Sequence, residues 1–268
     1  MKILLLKAIY KTMLSTLPIL TYNSFTKLFY APFSVQPLST YINFKLEKIQ
    51  AEHLQEYINK YTNTLELFPI KLLPWDMPAY YLSVNIYNCS SPLFSNNENN
   101  VTRCEINTYV KDKENNYGTL ILDYCSNSLS LDPVNLFKDK QNAKFYKDGD
   151  NLHYEVTNDK INFVMDFNYL KTKINRFLLS DNLIQFTDNI YYKNGICDKL
   201  FYDSSLVRSV IKIPSKINNF KFFYKNIQFD KIHSIFYFEN KINFICGLWH
   251  NLYNRIYTLD TDINLSKT

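Results

Sequence analysis

Arg103, Glu105, Asn107 and Tyr109 occupy alternate positions of one strand-like run, and Cys104, Ile106, Thr108 and Val110 fill the positions between them. A period of two puts the first four side chains on one strand face and the second four on the other. A guanidinium and a carboxylate two residues apart allow two readings. On a wet face they are an exposed ion pair worth little. On an interior face they become a polar anchor in a pocket, with Asn107 and Tyr109 as further binding groups. Further along lies a lysine cluster, Lys138, Lys140, Lys144 and Lys147. A lysine is a nucleophile when desolvation or a neighbouring cation keeps its amine neutral. At a helix end it is instead a solvated cation that favours the helix dipole.

The elements that must position these groups follow in order. Lys111 to Tyr117 is a polar turn closed by Gly118, and Thr119–Cys125 is a second strand, so the two runs form a hairpin with a longer loop. Ser130-Leu-Asp-Pro-Val-Asn-Leu-Phe137 reads as a short helix, capped by Ser130 or Asp132 with Pro133 in its first turn. The lysines follow it directly. Upstream, residues 46–62 carry Leu46, Ile49, Leu54, Tyr57 and Ile58 near one face of a helix, and Ala79–Tyr87 reads as a core strand.

Downstream, strand-like runs continue at 152–156, 161–167, 183–192, 206–213, 220–224, 233–238 and 242–248. Their number and short connections predict an antiparallel, β-rich α+β fold, a closed or nearly closed barrel or a sandwich with a few peripheral helices. Cys104, Ile106, Leu120, Leu122, Ile161, Phe163 and Phe244 are its expected core. Residues 46–268 are expected to form one domain. Residues 1–45 are expected to be an amphipathic segment followed by a turn or linker at Ala31–Pro37.

That first segment has no acidic residue before Glu47. Its apolar run is interrupted by Lys7 and Lys11, too early for a transmembrane span. An organelle-targeting peptide, a helix lying on a membrane surface, and a helix packed on the domain all fit.

Composition excludes several classes. With 268 residues and 46% hydrophobic side chains the chain has ample core for one large domain. Only 4 glycines are present, and neither dinucleotide nor nucleoside-triphosphate fingerprints occur, so no phosphate cradle is expected. The net charge of +5 is spread along the chain and includes only four arginines, which argues against nucleic acid as a partner. Five cysteines without a CxxC pair, and histidines without metal spacing, predict neither a disulfide framework nor a metal site, and no cofactor. Buried free cysteines fit a reducing, cytoplasmic setting.

The order of these pieces resembles the acetoacetate-decarboxylase-like superfamily, in a non-classical branch. The likeness rests on Arg103-Cys-Glu-Ile-Asn-Thr-Tyr-Val110, the Gly118 hairpin, the Leu-Asp strand, the short helix and the stretch up to Ala143. It extends to the closing run Phe229-Asp-Lys-Ile-His-Ser-Ile-Phe-Tyr-Phe-Glu-Asn-Lys-Ile-Asn-Phe244. The resemblance implies a barrel-type fold, a Schiff-base lysine at Lys140 or, one register away, Lys138, and a cavity glutamate at Glu105. It implies a small carbonyl ligand, a keto acid above all, and a homo-oligomer. The family's Gly-x-Pro-Lys-Lys signature is absent, and Asp139 separates the two lysines here. The other function class is a non-catalytic barrel that holds an apolar ligand or serves a structural role.

Overall fold

The computed structural model describes residues 21–23, 28–73, 75–90, 101–128, 141–174, 189–192, 197–202, 211–214, 216–238 and 242–249. Among them the chain begins with β1 (Thr21–Asn23), β2 (Leu28–Val35) and β3 (Ser39–Lys45). Helix α1 (Lys48–Asn59) follows, then β4 (Leu65–Leu67), β5 (Tyr81–Ser90), β6 (Val101–Asp112) and β7 (Tyr117–Ser126). Next come β8 (Asn142–Asp148), β9 (Asn151–Thr157), β10 (Ile161–Asn168), β11 (Thr172–Ile174), β12 (Asn189–Tyr192) and β13 (Cys197–Tyr202). The last are β14 (Ile211–Pro214), β15 (Ile217–Tyr224), β16 (Ile227–Gln228), β17 (Ser234–Phe238) and β18 (Ile242–Trp249).

These strands make two sheets. The larger has the order β1-β2-β18-β13-β12-β7-β6-β5-β3-β17-β14-β11, with β4 beside β6 and a further pairing of β2 with β5. The smaller has the order β16-β15-β10-β9-β8. The β-rich, antiparallel expectation holds, and among the described residues one pairing, β12 beside β7, is parallel.

The two sheets pack face to face. Ile42, Phe44, Leu82, Val84, Ile86, Cys104, Ile106 and Leu120 of the larger sheet meet Val156, Ile161, Phe163, Met165 and Phe222 of the smaller one. In β10 the alternation Ile161, Phe163, Met165, Phe167 is buried, and Asn162, Val164, Asp166 and Asn168 are partly exposed. Period-two burial on one face is what a half-covered antiparallel sheet requires. Cys104, Ile106, Leu120, Leu122, Ile161 and Phe163 are all buried as expected; the side chain of Phe244 lies outside the described residues. Thr40 and Tyr154 add one hydroxyl contact between the layers, at 2.6 Å.

The helix expected over 46–62 is present as α1. Its first turn is closed by the Glu47 N–H, which donates to Gln50 Oε1 at 2.9 Å. It buries Ala51 and Ile58. Gln55 then acts as a surrogate strand partner for β4, donating to Leu65 O at 3.1 Å and accepting from Leu67 N at 2.7 Å.

Two expectations need correction. Ala31–Pro37 is not a linker, because β2 runs through it and pairs with β18 from Leu28↔Trp249 to Val35↔Ile242. Nor does the sheet begin after residue 45, since β3 sits between β5 and β17 and buries Ile42 and Phe44. Composition hid both strands: Ala31-Pro32-Phe33 looks like a turn, yet Pro32 is tolerated in β2 while its neighbours pair. The short helix expected at 130–137 lies outside the described residues. Among the described residues no helix is long and apolar enough to cross a membrane.

Candidate functional site

The hairpin β6–β7 places the Arg103 row. Asp112 Oδ1 accepts the backbone N–H groups of Glu114 and Asn116 at 2.9 and 2.8 Å. Asn115 takes a left-handed φ of 60°, which an asparagine tolerates. The turn sets a register that pairs Arg103 with Ser126 and Glu105 with Tyr124. On the other side β5 pairs Tyr87 with Arg103, Asn85 with Glu105 and Ser83 with Asn107. Beyond it β3 pairs Tyr41 with Asn85 and Asn43 with Ser83.

Because side-chain direction alternates in every strand, these residues share one face of the larger sheet, the face turned away from the smaller sheet. That face is buried too. Arg103, Asn43, Ser83, Asn85, Asn107 and Tyr109 are all at most 7% exposed. The ion pair on a wet face is therefore the wrong picture of this strand: Arg103, Asn107 and Tyr109 belong to an interior polar layer, with Glu105 half-buried among them.

Hydrogen bonds knit the layer together. The Tyr87 hydroxyl donates to Glu105 Oε1, and Asn107 Nδ2 reaches Glu105 Oε2 at 3.4 Å. Ser83 Oγ donates to Asn43 Oδ1 at 2.6 Å and lies 3.3 Å from the Tyr109 hydroxyl. Asn43 Nδ2 donates onward to Ser234 Oγ at 3.2 Å. Asn85 hydrogen-bonds the Tyr41 hydroxyl. Burial pushes the Tyr109 phenol up to about 12. The Tyr87 phenol is held well above its ordinary value by burial and by the Glu105 charge, against the opposing pull of Arg103. Tyr87 thus stays a proton donor at neutral pH, and its proton is directed at Glu105. Chemically the layer offers a cation, a carboxylate in contact with a phenol, and a set of neutral amides and hydroxyls.

At the end of this face His233 Nε2 contacts Asp76 Oδ2 at 2.9 Å and lies 3.5 Å from the Tyr81 hydroxyl. Asp76 also accepts the Leu73 N–H at 2.9 Å, so its carboxylate fixes a loop as well as the ring. His153 pairs with Asp166 at 2.9 Å on the outer face of the smaller sheet, while His53 is exposed on α1. Among the described residues no group of three or more His, Cys, Asp or Glu side chains is placed to hold a metal ion.

The structure thus brings together Arg103, Glu105, Asn107 and Tyr109. Lys138 and Lys140 lie outside the described residues. Their chain neighbour Gln141 is described: its N–H donates to Ser126 O at 2.8 Å, and Ser126 is the register partner of Arg103. Reading the sequence overlooked Tyr41, Asn43, Ser83, Asn85 and Tyr87. The signal for Ser83, Asn85 and Tyr87 was available in Tyr81-Leu-Ser-Val-Asn-Ile-Tyr87, where polar or aromatic residues alternate with Leu82, Val84 and Ile86. No protein-family model, curated protein or solved structure matches the chain.

Proposed function

We propose that this chain binds a small keto acid or related carbonyl compound on the polar layer around Arg103 and Glu105, within a closed or nearly closed barrel. The single observation that carries the reading is a sheet face that is both buried and polar. Burying amides and charges is costly unless they are paired, so such a layer is retained where something polar is to be held. An apolar ligand gains nothing from Asn43, Ser83, Asn85, Arg103 and Asn107. The barrel reading is supported by β2, which pairs β18 on one side and β5 on the other through Ser34↔Ser90 and Val35↔Cys89. The path β2-β18-β13-β12-β7-β6-β5 thereby returns to its start.

In this reading Arg103 takes the ligand carboxylate, because a guanidinium meets two carboxylate oxygens at once. The Glu105 carboxylate, with the Tyr87 hydroxyl donating to it, lies beside the carbonyl. The resemblance to the acetoacetate-decarboxylase-like superfamily adds Lys140, or Lys138, as the amine. It attacks the carbonyl carbon, a C–N bond forms, water leaves, and the protonated imine withdraws electrons from the neighbouring carbon. Gln141, the residue after Lys140 in sequence, donates its N–H to Ser126 O, and Ser126 is the register partner of Arg103.

Borohydride reduction with acetoacetate or pyruvate should add the mass of the reduced ligand to the peptide carrying Lys140, and Lys140→Arg should abolish the adduct. Arg103→Met should weaken keto-acid binding about ten- to a hundredfold, the loss of a charge-assisted hydrogen bond. The reading fails if no keto acid binds saturably and no adduct forms, while an apolar dye binds wild type and Arg103→Met alike. That result favours a non-catalytic barrel for apolar ligands.

A further inference from the structure

Among the described residues, three side-chain atoms of the polar layer are buried without a hydrogen-bond partner, Arg103 Nε, which is a donor, and two amide oxygens. Asn85 Oδ1 and Asn107 Oδ1 are inaccessible to solvent and accept no hydrogen bond, although their residues are only 5% and 3% exposed. Both amides use their nitrogen side elsewhere, Asn107 toward Glu105 Oε2 and Asn85 toward Tyr41. A buried carbonyl left without a donor has given up its hydrogen bond to water and gained nothing in return. Native interiors leave few such groups, and each one calls for a partner.

The two carbonyls are near neighbours. Asn85 is the register partner of Glu105, and Asn107 is the next residue of β6 on the same face. Diagonal positions of this kind lie roughly 7–8 Å apart, within span of one small molecule. Beside them Glu105 already receives the Tyr87 hydroxyl and the Asn107 amide. What these two oxygens lack is donors. A plain keto acid carries only acceptors and cannot supply them.

Resting on the keto-acid reading above, we propose that the preferred ligand also carries an O–H or N–H donor close to its carbonyl. The class is a hydroxylated or aminated keto acid, with its carboxylate at Arg103 and its donor at the Asn85 and Asn107 carbonyls. Selectivity then has a physical basis. A site built to receive a donor discriminates strongly against the analogue that lacks one, because its acceptors stay buried and unpaired.

Three probes that differ only at C5 test this on the full chain by calorimetry: levulinate, 5-hydroxylevulinate and 5-aminolevulinate. At least one donor-bearing probe should bind about tenfold or more tighter than levulinate, the loss expected for an unmet buried acceptor. Asn107→Leu and Asn85→Leu should each shrink that preference. Glu105→Gln separates the two donor types, since it should weaken the ammonium probe more than the hydroxyl probe. If levulinate binds as tightly as both others, buried water serves the two carbonyls and this proposal is overturned, while the keto-acid reading stands. If none of the three binds and no other keto acid does, both fall together. The ranking with wild-type protein decides the matter even where a leucine variant fails to fold.

Discussion

Asp123 is the residue whose environment departs most from what its neighbours in sequence suggest. It sits in an apolar run, Leu120-Ile-Leu122 before it and Cys125 after, and a register shift between Ile106 and Asn107 bulges β7 at this point. A bulge lets two successive side chains face the same way. Leu122 and Asp123 both turn toward the smaller sheet, Leu122 into the core and Asp123 onto its edge. There Tyr224 donates to Asp123 Oδ2 at 2.6 Å and Lys160 to Oδ1 at 3.0 Å, with Lys225 Nζ 3.3 Å away. Lys225 also lies 3.1 Å above the Tyr57 ring, so α1 is tied into the same cluster. Burial alone raises the Asp123 pKa; the hydrogen bonds from Tyr224 and Lys160 and the charge of Lys225 outweigh it and hold the carboxyl below its ordinary value. A carboxyl with a depressed folded pKa contributes stability above its unfolded pKa and loses it as pH falls through the folded one. Asp123→Asn should cost about 2–4 kcal/mol at pH 7, toward the lower end of what breaking a buried pair costs because Lys160 is partly solvated. Urea titrations at pH 7 and near pH 3 check this: the gap between variant and wild type should narrow in acid. An equal gap at both pH values would assign the loss to packing.

At the scale of elements, β3 matters more than its position near the start of the chain suggests. It is paired on both edges, with β5 over Thr40–Lys45 and with β17 over Ser39–Asn43. It supplies Phe44 to the aromatic cluster with Phe222 at 4.8 Å and Phe229 at 5.5 Å between ring centroids. It also supplies Tyr41 and Asn43 to the polar layer. A chain that starts at residue 46 therefore loses an interior strand and exposes the paired edges of β5 and β17, which are templates for aggregation. Expressed alone, residues 46–268 should be insoluble or lack a cooperative unfolding transition. Recovery of a folded, monodisperse fragment would show that β3 is dispensable and that the sheet re-forms without it.

For the molecule as a whole, an apolar layer fills the space between the two sheets, and polar contacts such as Thr40 with Tyr154 and Tyr224 with Asp123 add to it. Phe222 is at its centre, with rings of Phe44, Phe163 and Phe229 at 4.8, 5.6 and 5.1 Å. Truncating a buried phenylalanine removes its transfer energy and leaves a cavity, together about 3–5 kcal/mol. Phe222→Ala should lower the unfolding free energy from urea titration by that amount, with the midpoint falling in proportion. If the sheets fold as one unit, fluorescence and circular dichroism should still report a single transition. Two separated transitions would mean that the smaller sheet unfolds on its own.

What the sequence determined by itself is the local pattern. Period-two alternation at 101–110 and 161–167 is enough to make strands and assign their faces, and the apolar spacing at 46–62 is enough to make α1, because these depend only on backbone geometry and side-chain type. The same alternation placed Arg103, Glu105, Asn107 and Tyr109 on one face. It did not decide whether that face is wet or dry. That depends on what lies across from it: β5 brings Tyr87 and Asn85 to Arg103 and Glu105, and β3 brings Tyr41 and Asn43, from positions far away in the chain. Register between distant strands is set by the whole sheet, so only the tertiary structure turned a row of polar residues into a buried layer with two carbonyls in need of donors. The same reason explains β2 and β3. Their residues look like a turn and a linker in isolation, and become strands because β18, β5 and β17 offer them edges to pair with.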